Sequence, residues 1–115
     1  MANIQVGLQA VVATYTGTGA NIPLNLGFVP AHLTGIDQST GTAMFFWNNG
    51  FNLATGSAAM GLTINAGTVA TIAAGAGGIT ALDGSAGTAI GVQIGTNTVI
   101  NLTSHGYLVT AWPGD

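Results

Sequence analysis

Apolar and polar residues alternate along much of the chain with the period of two that marks β-strands. Val6, Leu8, Ala10 and Val12 alternate along the first segment, and Ile22, Leu24 and Leu26 alternate again after the turn residues Gly17-Thr18-Gly19. Each set defines one face of a half-buried strand. Pro23 has no N–H to give a ladder, which directs the second strand to a sheet edge, and Pro30 in Gly27-Phe28-Val29-Pro30 ends it. A third strand is predicted from His32 to Asp37. Gln38-Ser39-Thr40-Gly41 then reads as a hairpin connection into a strand from Ala43 to Trp47, which Asn48-Asn49-Gly50 closes.

From Phe51 to Met60 the pattern loosens, and a loop with one short helical turn is expected. Leu62 and Ile64 precede the turn Asn65-Ala66-Gly67, and Val69 and Ile72 follow it, which predicts a short hairpin over 61–73. Gly75-Ala76-Gly77-Gly78 reads as a flexible loop. Four further strands are expected, Ile79 to Leu82, Ile90 to Ile94, Val99 to Leu102 and Tyr107 to Trp112, with turns at Asp83-Gly84 and Ser104-His105-Gly106. About eight or nine short strands at this spacing predict an all-β fold, an antiparallel β-sandwich or jelly-roll-like arrangement. Helix is disfavoured: 19 glycines punctuate the chain and Glu, Lys and Arg are missing. A length of 115 residues suits one domain with one core, spanning 1–115, with residues 1–5 as an extended arm.

Charge changes the picture most. Charged residues make up 3% of the chain, and there is no Lys or Arg, against roughly 25% charged in an ordinary soluble domain. Asp37, Asp83 and Asp115 are the only charged side chains, and His32 and His105 the only ones able to become cationic. A phosphate backbone is gripped chiefly by Lys and Arg, so direct nucleic-acid binding is excluded, and so is polybasic contact with anionic lipid. Gly, Thr, Asn and Ser interrupt the uncharged stretch from Gln38 to Leu82, so no membrane span is expected there. No secretory signal is visible in MANIQVGLQAVVATY, and with no cysteine the redox compartment stays open. A free monomer with so neutral and apolar a surface would be poorly soluble, whereas an assembled subunit docks much of that surface.

Candidate chemistry is sparse. Ser104 and His105 are adjacent, but neighbours on a strand point to opposite faces, and Gly106 marks a turn. Asp37 and Asp83 are the only plausible carboxylate pair. Each stands beside a turn, where an Asp usually bonds the backbone that follows it. The histidines and carboxylates show neither zinc nor calcium ligand spacing, and Gly75 to Gly78 lacks the lysine and glycine spacing of a phosphate cradle. Asn101-Leu102-Thr103 is a chance match to a glycosylation triplet. No catalytic, cofactor or metal residue is therefore expected, and no enzyme activity. The aromatic group Phe45, Phe46, Trp47 and Phe51, together with Trp112, is the candidate interface. On a strand Phe45 and Trp47 face one way and Phe46 the other, so one set fills the core while the other meets a subunit or stacks on a carbohydrate.

Several segments together carry a resemblance: Thr16-Gly17-Thr18-Gly19 before an alternating strand, Leu26-Gly27-Phe28-Val29-Pro30, the aromatic strand with Trp47, Gly91-Val92-Gln93-Ile94-Gly95, and the closing Tyr107-Leu108-Val109-Thr110-Ala111-Trp112. In this layout the chain resembles small tailed-phage virion proteins, including head decoration or cement proteins. The resemblance implies a homotrimer on the outer surface of the capsid that ties neighbouring major capsid protein subunits together. It carries over no catalytic or metal residue. A tail-fibre or spike module that binds a neutral host-surface glycan through aromatic, Asn, Thr and Gln side chains is the alternative.

Overall fold

The computed structural model describes residues 9–49, 61–73, 75–87 and 89–113; the expected arm at 1–5 and the loop from Phe51 to Met60 lie outside them. Nine strands run through the described residues: β1 Val11–Thr16, β2 Ile22–Asn25, β3 His32–Asp37, β4 Ala43–Asn48, β5 Gly61–Asn65, β6 Thr68–Ile72, β7 Ile79–Asp83, β8 Ile90–Ile94 and β9 Gly106–Trp112. They form two antiparallel sheets, one of six strands in the order β1-β9-β3-β4-β5-β6 and one of three in the order β2-β8-β7. Between β1 and β3 the chain leaves the large sheet for β2 and returns, and it crosses again for β7 and β8 before closing with β9. The all-β, two-sheet sandwich predicted from the alternation is the fold observed. No helix among the described residues is long and apolar enough to cross a membrane.

One core lies between the sheets. Leu33, Phe45, Trp47, Tyr107, Val109 and Ala111 point into it from the large sheet, and Leu24, Ile79, Val92 and Ile94 from the small one. Tyr15 stacks on Tyr107 with ring centroids 5.0 Å apart, and Phe45 meets Tyr107 edge-on at 6.2 Å. Gly35 pairs with Phe45 across β3 and β4, and the Phe45 ring covers it so closely that a methyl group there would overlap the ring.

Turn chemistry acts where the sequence places it. Asn65 pairs with Thr68 across a two-residue turn, Ala66-Gly67, with φ of 51° and 86°. Two positive φ angles give the hairpin a twist that matches its strands, and Gly67 takes the more extreme one without a Cβ. Pro23 lies on β2, an edge strand of the small sheet, as its missing N–H requires.

Two expectations are corrected. In β1 the inward residues are Val11, Ala13 and Tyr15, while Ala10 and Val12 are exposed, the reverse of the predicted face. Apolar residues occupy both parities there, and Tyr15, which buries a ring and bonds the Ile100 carbonyl at 2.7 Å, sets the register. The segment from Val99 to Leu102 is a turn and bend, not a strand. Its backbone groups are satisfied locally and by tyrosines: Asn97 Oδ1 accepts from Val99 N at 2.9 Å, and the Tyr107 hydroxyl donates to Val99 O at 3.1 Å and accepts from Leu102 N at 2.9 Å. With those partners in place the segment needs no ladder.

Candidate functional site

The chemistry-bearing residues resolve into one polar tie and one broad apolar face. The tie forms where β3 ends and β9 begins. Asp37, buried at the end of β3, accepts Ser39 N at 2.9 Å and Thr40 N at 3.3 Å on Oδ1, the turn role predicted for it. Its Oδ2 lies 2.7 Å from Nδ1 of the half-buried His105. Burial pushes the Asp37 carboxyl up, but hydrogen bonds from His105, Ser39 and Thr40 and the charge of His105 outweigh it and hold the group below its ordinary value. Gly106 N donates to Ser39 Oγ at 2.9 Å and Gln38 N to Gly106 O at 2.8 Å, so the β3–β4 loop is fastened to the start of β9. Both carboxylate oxygens of Asp37 are thus occupied within the fold, and His105 is turned to Asp37 rather than to its neighbour Ser104. Asp83, on the other sheet, caps its own turn through Ser85 N at 2.9 Å, so the two aspartates serve separate turns. The described residues contain no cluster of three or more metal-ligating side chains.

The apolar face is the outer side of the six-stranded sheet. Residues directly opposite each other in an antiparallel sheet share a face, and the register carries one row across all six strands: Thr14, Leu108, Ile36, Met44, Ile64 and Val69. The adjacent row runs Val12, Thr110, Thr34, Phe46, Leu62 and Thr71. Beyond it Trp112 lies against His32, ring centroids 4.7 Å apart in an edge-on contact, with Asn48 next in line. Neither row contains a formally charged side chain. Five of the seven large hydrophobic residues exposed among the described ones, Val12, Ile36, Met44, Val69 and Trp112, belong to this face; Ile90 and Leu102 do not. A groove of about 430 Å³ opens at its end, between Ile36, Met44 and Ile64 of the row and Asp37, Gln38 and Thr42 at the end of β3 and in the β3–β4 loop.

The predicted interface residues divide accordingly. Phe45 and Trp47 are buried in the core, where they have no surface to offer a partner, and Trp47 Nε1 has no acceptor among the described residues. Phe46 and Trp112 stand on the outer face. Phe51 lies outside the described residues. The strand alternation in Phe45-Phe46-Trp47 set Phe46 apart from its neighbours, but burial decides that Phe45 and Trp47 form the core set.

Asn101 has a role that its triplet concealed. It is buried, its Oδ1 accepts from Thr18 N at 2.8 Å and Gly19 N at 3.2 Å, and its Nδ2 donates to Ala20 O at 2.7 Å and Gly95 O at 2.8 Å. The amide pins the β1–β2 turn to the segment after β8, and its nitrogen is fully engaged there. No protein-family model, curated protein or solved structure matches the chain.

Proposed function

We propose that the chain is a virion structural protein, a decoration or cement subunit that self-associates, binds the assembled phage head and bridges neighbouring major capsid subunits on its outer surface. The observation that carries this reading is the outer face of the six-stranded sheet, whose two rows hold no formal charge in a chain that has no Lys or Arg, a surface suited to a subunit that is docked in an assembly rather than free. Contiguous exposed apolar surface of this kind marks an interaction site. Its work is binding rather than catalysis, and the mechanism is mass action. A subunit that binds only the assembled shell lowers the free energy of that shell by an amount that grows with occupancy, and bridging two sites adds avidity.

Mass spectrometry of purified particles, followed by heat and osmotic challenge of heads stripped of the chain, tests the proposal. The chain is expected at stoichiometric abundance, and the stripped heads are expected to burst at lower temperature. Particles without it, or stripped heads of unchanged resistance, contradict the reading.

A second reading, a tail module that binds a neutral glycan, is favoured by the groove beside the β3–β4 loop, where Gln38 and Thr42 adjoin apolar side chains. A glycan array separates the two, because a cement subunit retains no sugar.

A further inference from the structure

We propose that the outer face of the six-stranded sheet is covered by a second copy of this chain, the two faces meeting across a two-fold axis; this rests on the reading of the chain as an assembly subunit and names the surface through which it assembles. Charge identifies the occupant. An ordinary protein surface is rich in charged residues, and those brought against this face would lose water and find no counter-charge among its two rows. A second copy brings none. Its own two rows present the same uncharged aliphatic, aromatic and threonine side chains.

Extent supports the same occupant. Six strands spaced about 4.8 Å apart, each rising about 3.3 Å per residue over roughly six residues, make a face of about 500 Å². Two such faces in contact bury about 1,000 Å² in total, the lower threshold for a specific interface. Sheets stack face to face at about 10 Å with their strands within about 30° of alignment, so the pair would form four sheet layers with the two outer faces at the centre. One self-complementary patch closes a two-fold pair, whereas a ring of three needs two different patches on each subunit. Five of the seven exposed large hydrophobic residues on this one face supply the single patch.

Sedimentation equilibrium of the full chain tests the proposal at micromolar concentration. The probes are Ile36→Thr with Ile64→Thr, which keep β-propensity while removing aliphatic surface from the middle of the row. The control is Ile90→Thr with Leu102→Thr, which alters the exposed hydrophobic residues off the face. The wild type and the control are expected to be dimers of equal dissociation constant, and the probe to dissociate about 100-fold more readily with unchanged circular dichroism. If the central pair impairs folding, Val12→Thr with Val69→Thr, both 62% exposed, is the second probe, with an expected loss of about tenfold. An oligomer that both probes leave intact overturns the assignment of the face. A wild-type monomer, including one that floats with phosphatidylcholine vesicles, overturns self-docking altogether. Neither result bears on whether the chain is found in purified particles, which is the separate test of the functional reading.

Discussion

Asp37 Oδ2 and His105 Nδ1, 68 positions apart in the chain, meet at 2.7 Å and join the end of β3 to the residue that precedes β9. The contact closes a small polar cluster at the rim of an otherwise apolar sandwich. It also holds the β3–β4 loop that borders the groove, so the geometry of the outer face at that end depends on it.

Replacing Asp37 by Ala leaves Ser39 N, Thr40 N and His105 without their acceptor and is expected to cost about 2–3 kcal/mol at pH 7, while Asp37→Asn, which keeps an acceptor oxygen, costs less. The carboxyl is held below its ordinary 3.8 in the folded chain. A depressed acid contributes stability that is fully present above its unfolded value and is lost as pH falls through the folded value. Urea unfolding should therefore show the advantage of the wild type over Asp37→Asn undiminished from neutral pH to about pH 5 and shrinking below about pH 4. An advantage as large at about pH 2 as at pH 7 would mean that the charge of Asp37 contributes nothing.

The two core tyrosines should differ. Tyr15→Phe removes one donated hydrogen bond, to Ile100 O, and is expected to cost about 1–1.5 kcal/mol. Tyr107→Phe leaves both Val99 O and Leu102 N without their partner, at an expected cost of about 2–3 kcal/mol. Equal losses in chemical unfolding would show that the Val99–Leu102 turn does not rely on the Tyr107 hydroxyl.

Asn101→Asp replaces an amide that donates to Ala20 O and Gly95 O with a buried carboxylate facing two carbonyl oxygens. The expected cost at pH 7 is about 3 kcal/mol or more, exceeding that of Asn101→Ser. Acid should relieve it, because the protonated acid can donate to one carbonyl. Thermal melts at pH 7 and about pH 4 compare the two.

Gly35→Ala inserts a methyl group into the Phe45 ring. A loss of about 2–3 kcal/mol is expected, and Phe45→Leu in the same chain should recover part of it, so that the two changes are strongly non-additive. Additive losses in urea titrations would show that ring and glycine do not meet.

Local chemistry made much of this fold readable from sequence. The Ala66-Gly67 turn needs two positive φ angles, and Pro23 needs an edge, and both requirements are visible within a few residues. Features decided over long range were not. The face of β1 depends on the stacking of Tyr15 on Tyr107, and the segment at Val99 looks like a strand until the Tyr107 hydroxyl is known to reach it. The Asp37–His105 contact joins two turns that are each complete in sequence. Of the outer face, the sequence placed Phe46 opposite Phe45 and Trp47 and grouped Trp112 with all three, without showing which set was buried, and the row from Thr14 to Val69 exists only once the register of all six strands is known.

Assembly through uncharged faces should be indifferent to salt. At 1 M sodium chloride the Debye length falls to roughly 3 Å, which screens ion pairs and leaves apolar burial intact. The dissociation constant of the oligomer is expected to be unchanged or lower at 1 M than at 0.05 M salt; progressive dissociation would reveal an electrostatic contact.

Electron cryomicroscopy of the purified particle tests the central claim most directly. Two-sheet domains are expected at regular positions on the outside of the head, touching neighbouring shell subunits, with the Ile36 and Met44 face of each turned to a like copy. Density for the domain at a fibre tip or nowhere on the particle, or an outer face open to solvent, would contradict it.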